Sequence, residues 1–278
     1  YASVLNGSGF MAIEARTGKV KWHTQLADTS PFPPILDEDS AYVITGSCTL
    51  YRIARSNGKV LWSRWLSPSI HSMPALSHGR VFAAATDRKD RSGRGSWHLV
   101  CLDAKTGHEL WAEPLGSDIV GAPLVGREHV YVSLQDGNLA AVELSRGKTS
   151  WKKDVQARSM PVAWRDRLAY FVDRGLATVD SSGGKESWTI TAEAGAGQAA
   201  ASTSFPFPMI SGDRAYMVFN GTEMHCVDLV KKESKWRFSV KGDTLGAPVM
   251  VGGRVYVGGS SGRFRSLDAA TGRELWSV

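Results

Sequence analysis

Short apolar runs alternate with glycine-containing turns along the whole chain. The last part shows the pattern most clearly, with runs rich in Val, Tyr and Leu at residues 246–251, 255–258, 264–268 and 274–278. Runs of this length and composition, bounded by turn residues, are typical of β-strands joined by hairpins. Since no segment keeps a helical period, the pattern predicts an all-β protein.

The group of four runs recurs along the chain with a tryptophan at its end. Successive tryptophans of this set lie 40, 49, 40, 37, 48 and 40 residues apart. The residue nine before each is apolar, the next is acidic in six of seven copies, and Gly stands four before in six of seven. The seven residues are Trp22, Trp62, Trp111, Trp151, Trp188, Trp236 and Trp276. A repeat of this kind indicates a solenoid, a propeller or another repeat array.

The repeat predicts a seven-bladed β-propeller of four-stranded antiparallel blades, built as a single domain over residues 1–278 with blades ending near the seven tryptophans. A proline near the start of each first strand marks the blade boundaries, because proline suits only the first residues or the edge of a strand. The first unit begins at its second strand, and eight blades are expected if sequence is missing at the ends.

The pattern Ala-x-Thr-Gly-x-x-x-Trp is intact in three copies, at residues 15–22, 104–111 and 269–276. It resembles the tryptophan-docking motif of PQQ-like β-propellers, and the resemblance covers essentially the whole chain. In that family the indole packs between neighbouring blades, against the small residue and the Gly peptide of the adjoining motif. The resemblance implies a structural role for the seven tryptophans, in agreement with the large area that an indole buries.

Composition and charge change this picture little. The net charge is +6 and the pI about 9.3, but the basic residues are dispersed and favour acidic partners only weakly. Cys48, Cys101 and Cys226 cannot all pair, so we expect buried free thiols. No apolar run is long enough to span a membrane, and the first residues do not form a signal peptide.

The PQQ-like family includes quinoprotein dehydrogenases, which hold a quinone with calcium, a catalytic Asp and often two adjacent cysteines. No two cysteines are adjacent here. The regular acidic residue is expected to accept hydrogen bonds in a turn rather than bind calcium. The histidines form no His-x-His or His-x-x-x-His pair, so the sequence signals no zinc site. We therefore expect no enzyme activity, no metal and no cofactor.

Three tryptophans lie outside the docking position: Trp65, Trp97 and Trp164. Each is interpreted either as an exposed anchor for a protein partner or as additional packing between blades, because tryptophan is enriched both in interface hot spots and in cores.

Two units carry insertions, at residues 87–95 and 192–203, and insertions in repeat proteins lie in loops where function is often found. The first insertion is basic and is interpreted either as a contact for an acidic partner or as a solvated loop. Its basic residues are Arg88, Lys89, Arg91 and Arg94. Nucleic acid is not an expected partner, because stacking aromatics do not alternate with these residues.

Within the family, the repeat resembles the BamB-like scaffolds of outer-membrane assembly. This implies a non-catalytic scaffold that binds a protein partner, such as a membrane or β-barrel assembly protein. It also implies a location in the periplasm or elsewhere outside the cytoplasm, with any membrane anchor in a segment outside this sequence. The alternative is a ligand-sensing ectodomain of a membrane-anchored or kinase-fused protein, with a pocket at the ring centre. A quinoprotein dehydrogenase is the third hypothesis.

Overall fold

The structure is a computed structural model that describes residues 2–4, 8–67, 72–89, 95–173, 175–191, 207–219 and 221–278. The regular secondary structure within these ranges consists of β-strands, which confirms the all-β prediction. The strands form seven antiparallel sheets.

The strands are numbered in chain order. Sheet 1 consists of β1 Ala2–Val4, β2 Gly9–Ile13 and β3 Val20–Gln25. Sheet 2 consists of β4 Ile35–Leu36, β5 Ser40–Ile44, β6 Thr49–Ala54 and β7 Val60–Trp65. Sheet 3 consists of β8 Ala75–Ser77, β9 Arg80–Lys89, β10 Gly95–Asp103 and β11 Glu109–Pro114. Sheet 4 consists of β12 Leu124–Val125, β13 His129–Ser133, β14 Asn138–Glu143 and β15 Thr149–Asp154.

The remaining sheets follow the same plan. Sheet 5 consists of β16 Val162–Trp164, β17 Arg167–Val172, β18 Gly175–Asp180 and β19 Glu186–Thr191. Sheet 6 consists of β20 Met209–Ser211, β21 Arg214–Phe219, β22 Glu223–Asp228 and β23 Glu233–Ser239. Sheet 7 consists of β24 Val249–Val251, β25 Arg254–Gly258, β26 Phe264–Asp268 and β27 Glu274–Ser277.

Every sheet pairs its strands in the order in which they follow in sequence, so each is an antiparallel meander. Sheet 1 has three strands and the other six have four, as the sequence pattern predicted. An irregularity recurs between the third and fourth strands of the blades. The strand register shifts directly after the residue that pairs with the docking tryptophan. The shift follows Ala12, Arg52, Cys101, Thr178, Cys226 and Ser266. Such bulges increase local twist and re-aim a side chain.

The chain forms two compact units. The first comprises Tyr1–Val130 with Val142–Thr149, and the second comprises Tyr131–Ala141 with Ser150–Val278. The prediction of one domain over residues 1–278 stays a prediction.

Each unit has its own apolar core between successive sheets. In the first unit, Tyr42, Leu50 and Val100 belong to a cluster that joins sheets 2 and 3. In the second unit, Phe171 and Phe219 belong to a cluster that joins sheets 5 and 6. Burial of apolar surface between sheets is therefore the main stabilising term within each unit.

The docking tryptophans hold successive sheets together through one repeated contact. In five copies the indole Nε1 donates a hydrogen bond to a carbonyl of the next motif, at N···O distances of 2.8 to 3.3 Å. The accepting carbonyls belong to Arg55, Ala104, Leu144, Ser181 and Ala269. Three residues further on, a glycine with positive φ lies against the same indole, and a methyl group there would overlap the ring.

Two tryptophans depart from this contact. Lys232 stands where the sixth motif would have glycine, and it keeps the left-handed backbone with a φ of 59°. Its ammonium group lies 5.8 Å from the centroid of Trp188, within cation–π range. Trp276 is 38% exposed and packs against Tyr256 and Phe264 of its own sheet.

The docking carbonyl often accepts a second hydrogen bond. The Tyr42 hydroxyl donates to the Ala104 carbonyl, and the Tyr216 hydroxyl donates to the Ala269 carbonyl. Sheet 3 has Phe82 at this strand position, which carries no hydroxyl, and Arg80 Nη1 donates to the Leu144 carbonyl at 2.7 Å instead. The repeat thus tolerates different donors on the same carbonyl.

We expect Gly147→Ala to be more destabilising than Gly79→Ala. Both glycines have nearly the same left-handed φ, 66° and 67°, so each substitution costs about 1–2 kcal/mol from the backbone alone. Only the new methyl at residue 147 meets an indole, that of Trp111, and this overlap adds about 1–3 kcal/mol. Urea unfolding of the two variants measures the difference, and equal losses would contradict the docking contact.

Candidate functional site

The basic insertion extends a strand pair rather than forming a loop over its whole length. β9 runs through Lys89 and β10 begins at Gly95, with Lys89 opposite Gly95 and Arg88 opposite Ser96. The expectation of a loop at residues 87–95 is therefore wrong for Arg88, Lys89 and Gly95, which are paired in the ladder, and for Asp87, which lies within β9. Arg91 and Arg94 lie outside the described residues. We name the part formed by residues 85–89 and 95–98 the long hairpin.

The long hairpin contains a bulge at Trp97. The register shifts between Ser96 and His98, so that Thr86 and Asp87 lie opposite the single residue Trp97. The side chain of Trp97 is half-buried, and its carbonyl accepts a hydrogen bond from the Leu115 amide at 2.8 Å. The bulge thus fixes Trp97 at the base of the hairpin, against the chain that follows sheet 3.

Trp65 lies beside the same hairpin and is exposed. It ends β7 opposite Thr49, and its side chain is 51% exposed. The next two residues contact the hairpin, because the Thr86 amide donates to the Leu66 carbonyl and the Thr86 hydroxyl lies 2.9 Å from the Ser67 hydroxyl. An exposed indole and the basic hairpin are therefore neighbours in the first compact unit.

Trp164 is placed differently, in the core of the second unit. It is 6% exposed, contacts Trp188 edge to face at 5.9 Å between ring centroids, and donates from Nε1 to an Asp213 carboxylate oxygen. Arg165 covers its ring and pairs with the other Asp213 oxygen at 2.9 Å. Of the two interpretations of Trp164, its burial supports additional packing between blades and not an exposed anchor for a partner.

The sequence prediction also placed an insertion at residues 192–203, which lies outside the described residues. Among the glycine-containing turns expected from the sequence, the one at Asp136-Gly137 is present, since the Gly137 amide donates to the Leu134 carbonyl and Gly137 has a φ of 86°.

Five of the six repeated acidic residues accept hydrogen bonds in their turns, as predicted, and within the described ranges the Glu143 side chain is the exception. Asp180 accepts from the Ser182 hydroxyl and from the amides of Ser182, Gly183 and Lys185. The Ser182 hydroxyl, followed by the amide donors, holds the pKa of the Asp180 carboxyl below its usual range. The same lowering applies to Asp103, Asp228 and Asp268 in their own turns.

The three thiols are buried and free, which confirms the prediction for Cys48, Cys101 and Cys226. Burial raises the pKa of Cys48 to about 11, of Cys101 to about 12 and of Cys226 to about 11. A protonated, buried thiol is a weak nucleophile, so none of the three is an activated cysteine.

The described part of the chain contains no group of three or more His, Cys, Asp or Glu side chains arranged to hold a metal ion. It also contains no helix with the length and apolar character to cross a membrane.

Comparison with known proteins identifies similar chains. The family described as outer membrane protein assembly factor BamB matches residues 7–94, 91–202 and 172–278. The relative of that name from Moranella endobia is 20% identical over 92% of this chain and 66% of its own length. The one from Bordetella pertussis is 26% identical over 57% of this chain and 43% of its own. The chain thus spans about two thirds or less of these relatives' length.

A relative of another kind is also similar. The tetrathionate hydrolase of Acidithiobacillus ferrooxidans is 25% identical over 66% of this chain and 42% of its own length. Most of the named relatives carry the BamB description, and this one does not.

Solved structures share the fold. BamB from Moraxella catarrhalis superposes with a TM-score of 0.69 at 16% identity, over 88% of this chain and 75% of that chain. The quinohemoprotein alcohol dehydrogenase of Comamonas testosteroni superposes with a TM-score of 0.75 at 13% identity, over 99% and 65%. The fold is a β-propeller, and the seven sheets correspond to the seven predicted blades.

We expect the stability of the protein to decrease in acid because of the turn carboxylates. The pKa of these carboxyls is lowered in the folded protein. Their contribution to the free energy of unfolding is therefore complete above the ordinary Asp pKa of about 4, and it is lost as the pH falls through the lowered pKa. The Asp180→Asn and Asp268→Asn variants should lose part of this acid dependence. Thermal unfolding from pH 6 down to about pH 2 measures it. Asp166→Asn, an exposed carboxylate in a different turn, is the control and should keep the wild-type slope.

Trp65 and Trp164, which both lie outside the docking position, should differ sharply in how much their substitution by alanine lowers stability. Trp164→Ala removes a buried ring and leaves the Asp213 carboxylate without its indole donor, so we expect a loss of about 3–5 kcal/mol. Trp65→Ala removes a half-exposed ring and should cost less than about 1 kcal/mol. Chemical denaturation of both variants tests this, and a large loss for Trp65→Ala would place that residue in the core.

Proposed function

The chain belongs to the family of the outer membrane protein assembly factor BamB, and from this premise we propose that it is a non-catalytic β-propeller scaffold. Its role is to bind a protein partner during outer-membrane protein assembly, outside the cytoplasm. The partner class is a membrane or β-barrel assembly protein. The family membership and the names of the relatives support this proposal, and the structure supplies the surface through which it can act.

The main observation that supports the proposal is the long hairpin with the exposed Trp65 beside it. A strand pair extends at one end of sheet 3, and a half-exposed indole lies beside its base. Exposed tryptophans next to basic residues are the composition that interface hot spots favour. The repeated docking contacts hold the base of this surface rigid, so a partner binds it without ordering the scaffold first.

The hairpin surface fits a partner with an acidic patch. Residues 87–95 contain four basic and two acidic side chains, a net charge of +2. Charges of this kind steer association and set specificity, while an apolar ring contributes most of the affinity. We therefore assign partner contact to Arg88, Lys89, Arg91 and Arg94 of the hairpin, with Trp65 as the anchor and Trp97 at the base.

The non-catalytic part of the proposal rests on the chemistry of the repeated residues. The four aspartates among the repeated acidic residues are engaged by turn amides, and the thiols are held protonated by burial. The similarity to a tetrathionate hydrolase and a quinohemoprotein dehydrogenase keeps enzyme activity as the alternative. A quinone-type absorbance that copurifies with the protein would favour that alternative.

Substitution of the anchor and of the hairpin charges tests the function. The protein is cross-linked in native outer-membrane preparations, the β-barrel assembly partner is identified, and its affinity is then measured with purified components. We expect Trp65→Ala to weaken binding by about 10-fold or more. We expect Arg88→Glu with Lys89→Glu to slow association and to remove most of its dependence on salt.

A matched pair of charge reversals provides the control. Arg16→Glu with Lys19→Glu changes the net charge by the same amount, in the exposed turn between β2 and β3. This pair should leave the affinity unchanged. Equal effects of the two double variants would mean that only net charge matters, and unchanged binding by Trp65→Ala would exclude this surface.

A further inference from the structure

A concave site lies in the first compact unit, at the end of β9 opposite the long hairpin. Here a cleft of about 560 Å³ opens between the turns of sheets 3 and 4. Sheet 3 contributes His78 and Arg80, and sheet 4 contributes Arg127, Glu128, His129, Glu143, Leu144 and Ser145. The volume lies within the range of small-molecule sites in proteins.

The cleft has a fixed wall. Leu144 accepts two hydrogen bonds on its carbonyl, one from the Trp111 indole at 3.2 Å and one from Arg80 Nη1 at 2.7 Å. Arg80 therefore reaches from sheet 3 to sheet 4 in one defined position, which leaves its remaining N–H groups for other acceptors. His78 is held similarly, with Nδ1 2.8 Å from the Ser77 hydroxyl.

The cleft contains charges of both signs that do not pair with one another. Among the described residues, the side chains of Arg127, Glu128 and Glu143 form no ion pair and no hydrogen bond. Within the described ranges, the Arg80 guanidinium donates only to the Leu144 backbone carbonyl. The cleft thus offers two guanidinium groups and two carboxylates to whatever enters it.

Equivalent turns elsewhere use such charges internally. Within sheet 2, the Arg52 guanidinium pairs with Asp39 of the β4–β5 turn at 3.2 Å. Between sheets 5 and 6, Arg165 pairs with Asp213 at 2.9 Å. The turns that line the cleft have the charges but not the pairing. A ligand that carries both a negative and a positive group would therefore complement the unpaired arginines and glutamates of the cleft.

We propose that this cleft binds a short peptide with free ends. Its carboxylate is held by the Arg127 guanidinium together with the free N–H groups of Arg80, in the geometry that arginine favours for carboxylates. Its ammonium group is held by Glu143 and Glu128. The volume accepts a peptide of a few residues, and the apolar residue Leu144 also lines the cleft. This site is independent of the proposed scaffold role.

Titration with the dipeptide Gly-Leu tests the proposal, with ¹⁵N chemical shifts of the intact chain as the readout. We expect saturable shifts at the cleft residues and weaker binding of N-acetyl-Gly-Leu and of Gly-Leu-amide, each by about 5-fold. Arg127→Gln should abolish the preference for the free carboxylate, and Glu143→Gln should abolish the preference for the free amine. Arg254→Gln, an exposed arginine that begins β25 in sheet 7, is the control and should bind as wild type.

Three results would overturn the proposal. One is the absence of saturable shifts at millimolar dipeptide. A second is equal binding of the free and both blocked dipeptides, which would mean that the charges are not used. A third is unchanged end-group preference in both Arg127→Gln and Glu143→Gln, which would place the peptide elsewhere.

Discussion

The contact between a tryptophan of one sheet and a glycine turn of the next is the interaction on which the rest of the structure depends. Five indoles make it in the same way, with the ring against the glycine and the N–H on a carbonyl three residues earlier. A buried indole removes about 150–250 Å² from water, and its hydrogen bond adds a net contribution of about 1 kcal/mol. The strands within a sheet fix its register, but this contact fixes where the next sheet begins.

Much of this could be predicted from the sequence, because both partners of the contact are special residues. Tryptophan and glycine are uncommon enough that their spacing shows the period, and the acidic residue four positions before the glycine indicates the turn that it caps. The strands, the three-stranded first sheet, the capping role of residues such as Asp103 and the free thiols followed from local chemistry. Each of these features depends on residues close together in sequence.

The functional surfaces depend on residues far apart in sequence, and there the prediction had less to use. Trp65 and Trp164 are the same residue type at the end of a strand, and only tertiary contacts decide that one is exposed and the other buried. A signal for Trp164 existed in the adjoining Arg165 and the distant Asp213, but the pairing is visible only when sheets 5 and 6 are packed. The cleft beside Arg80 likewise forms from three chain segments, at residues 78–80, 127–129 and 143–145.

The docking contact has a consequence for the evolution of the chain. The receiving side consists of backbone, a carbonyl and a glycine, so its recognition of an indole depends little on the side chains of that repeat. Any copy can therefore follow any other copy, and unequal crossing-over within the gene can add, remove or exchange a repeat without new compensating substitutions at the junction. Lys232 illustrates the dominance of the backbone in this contact, since it has the left-handed φ that glycine has at this position in the other motifs.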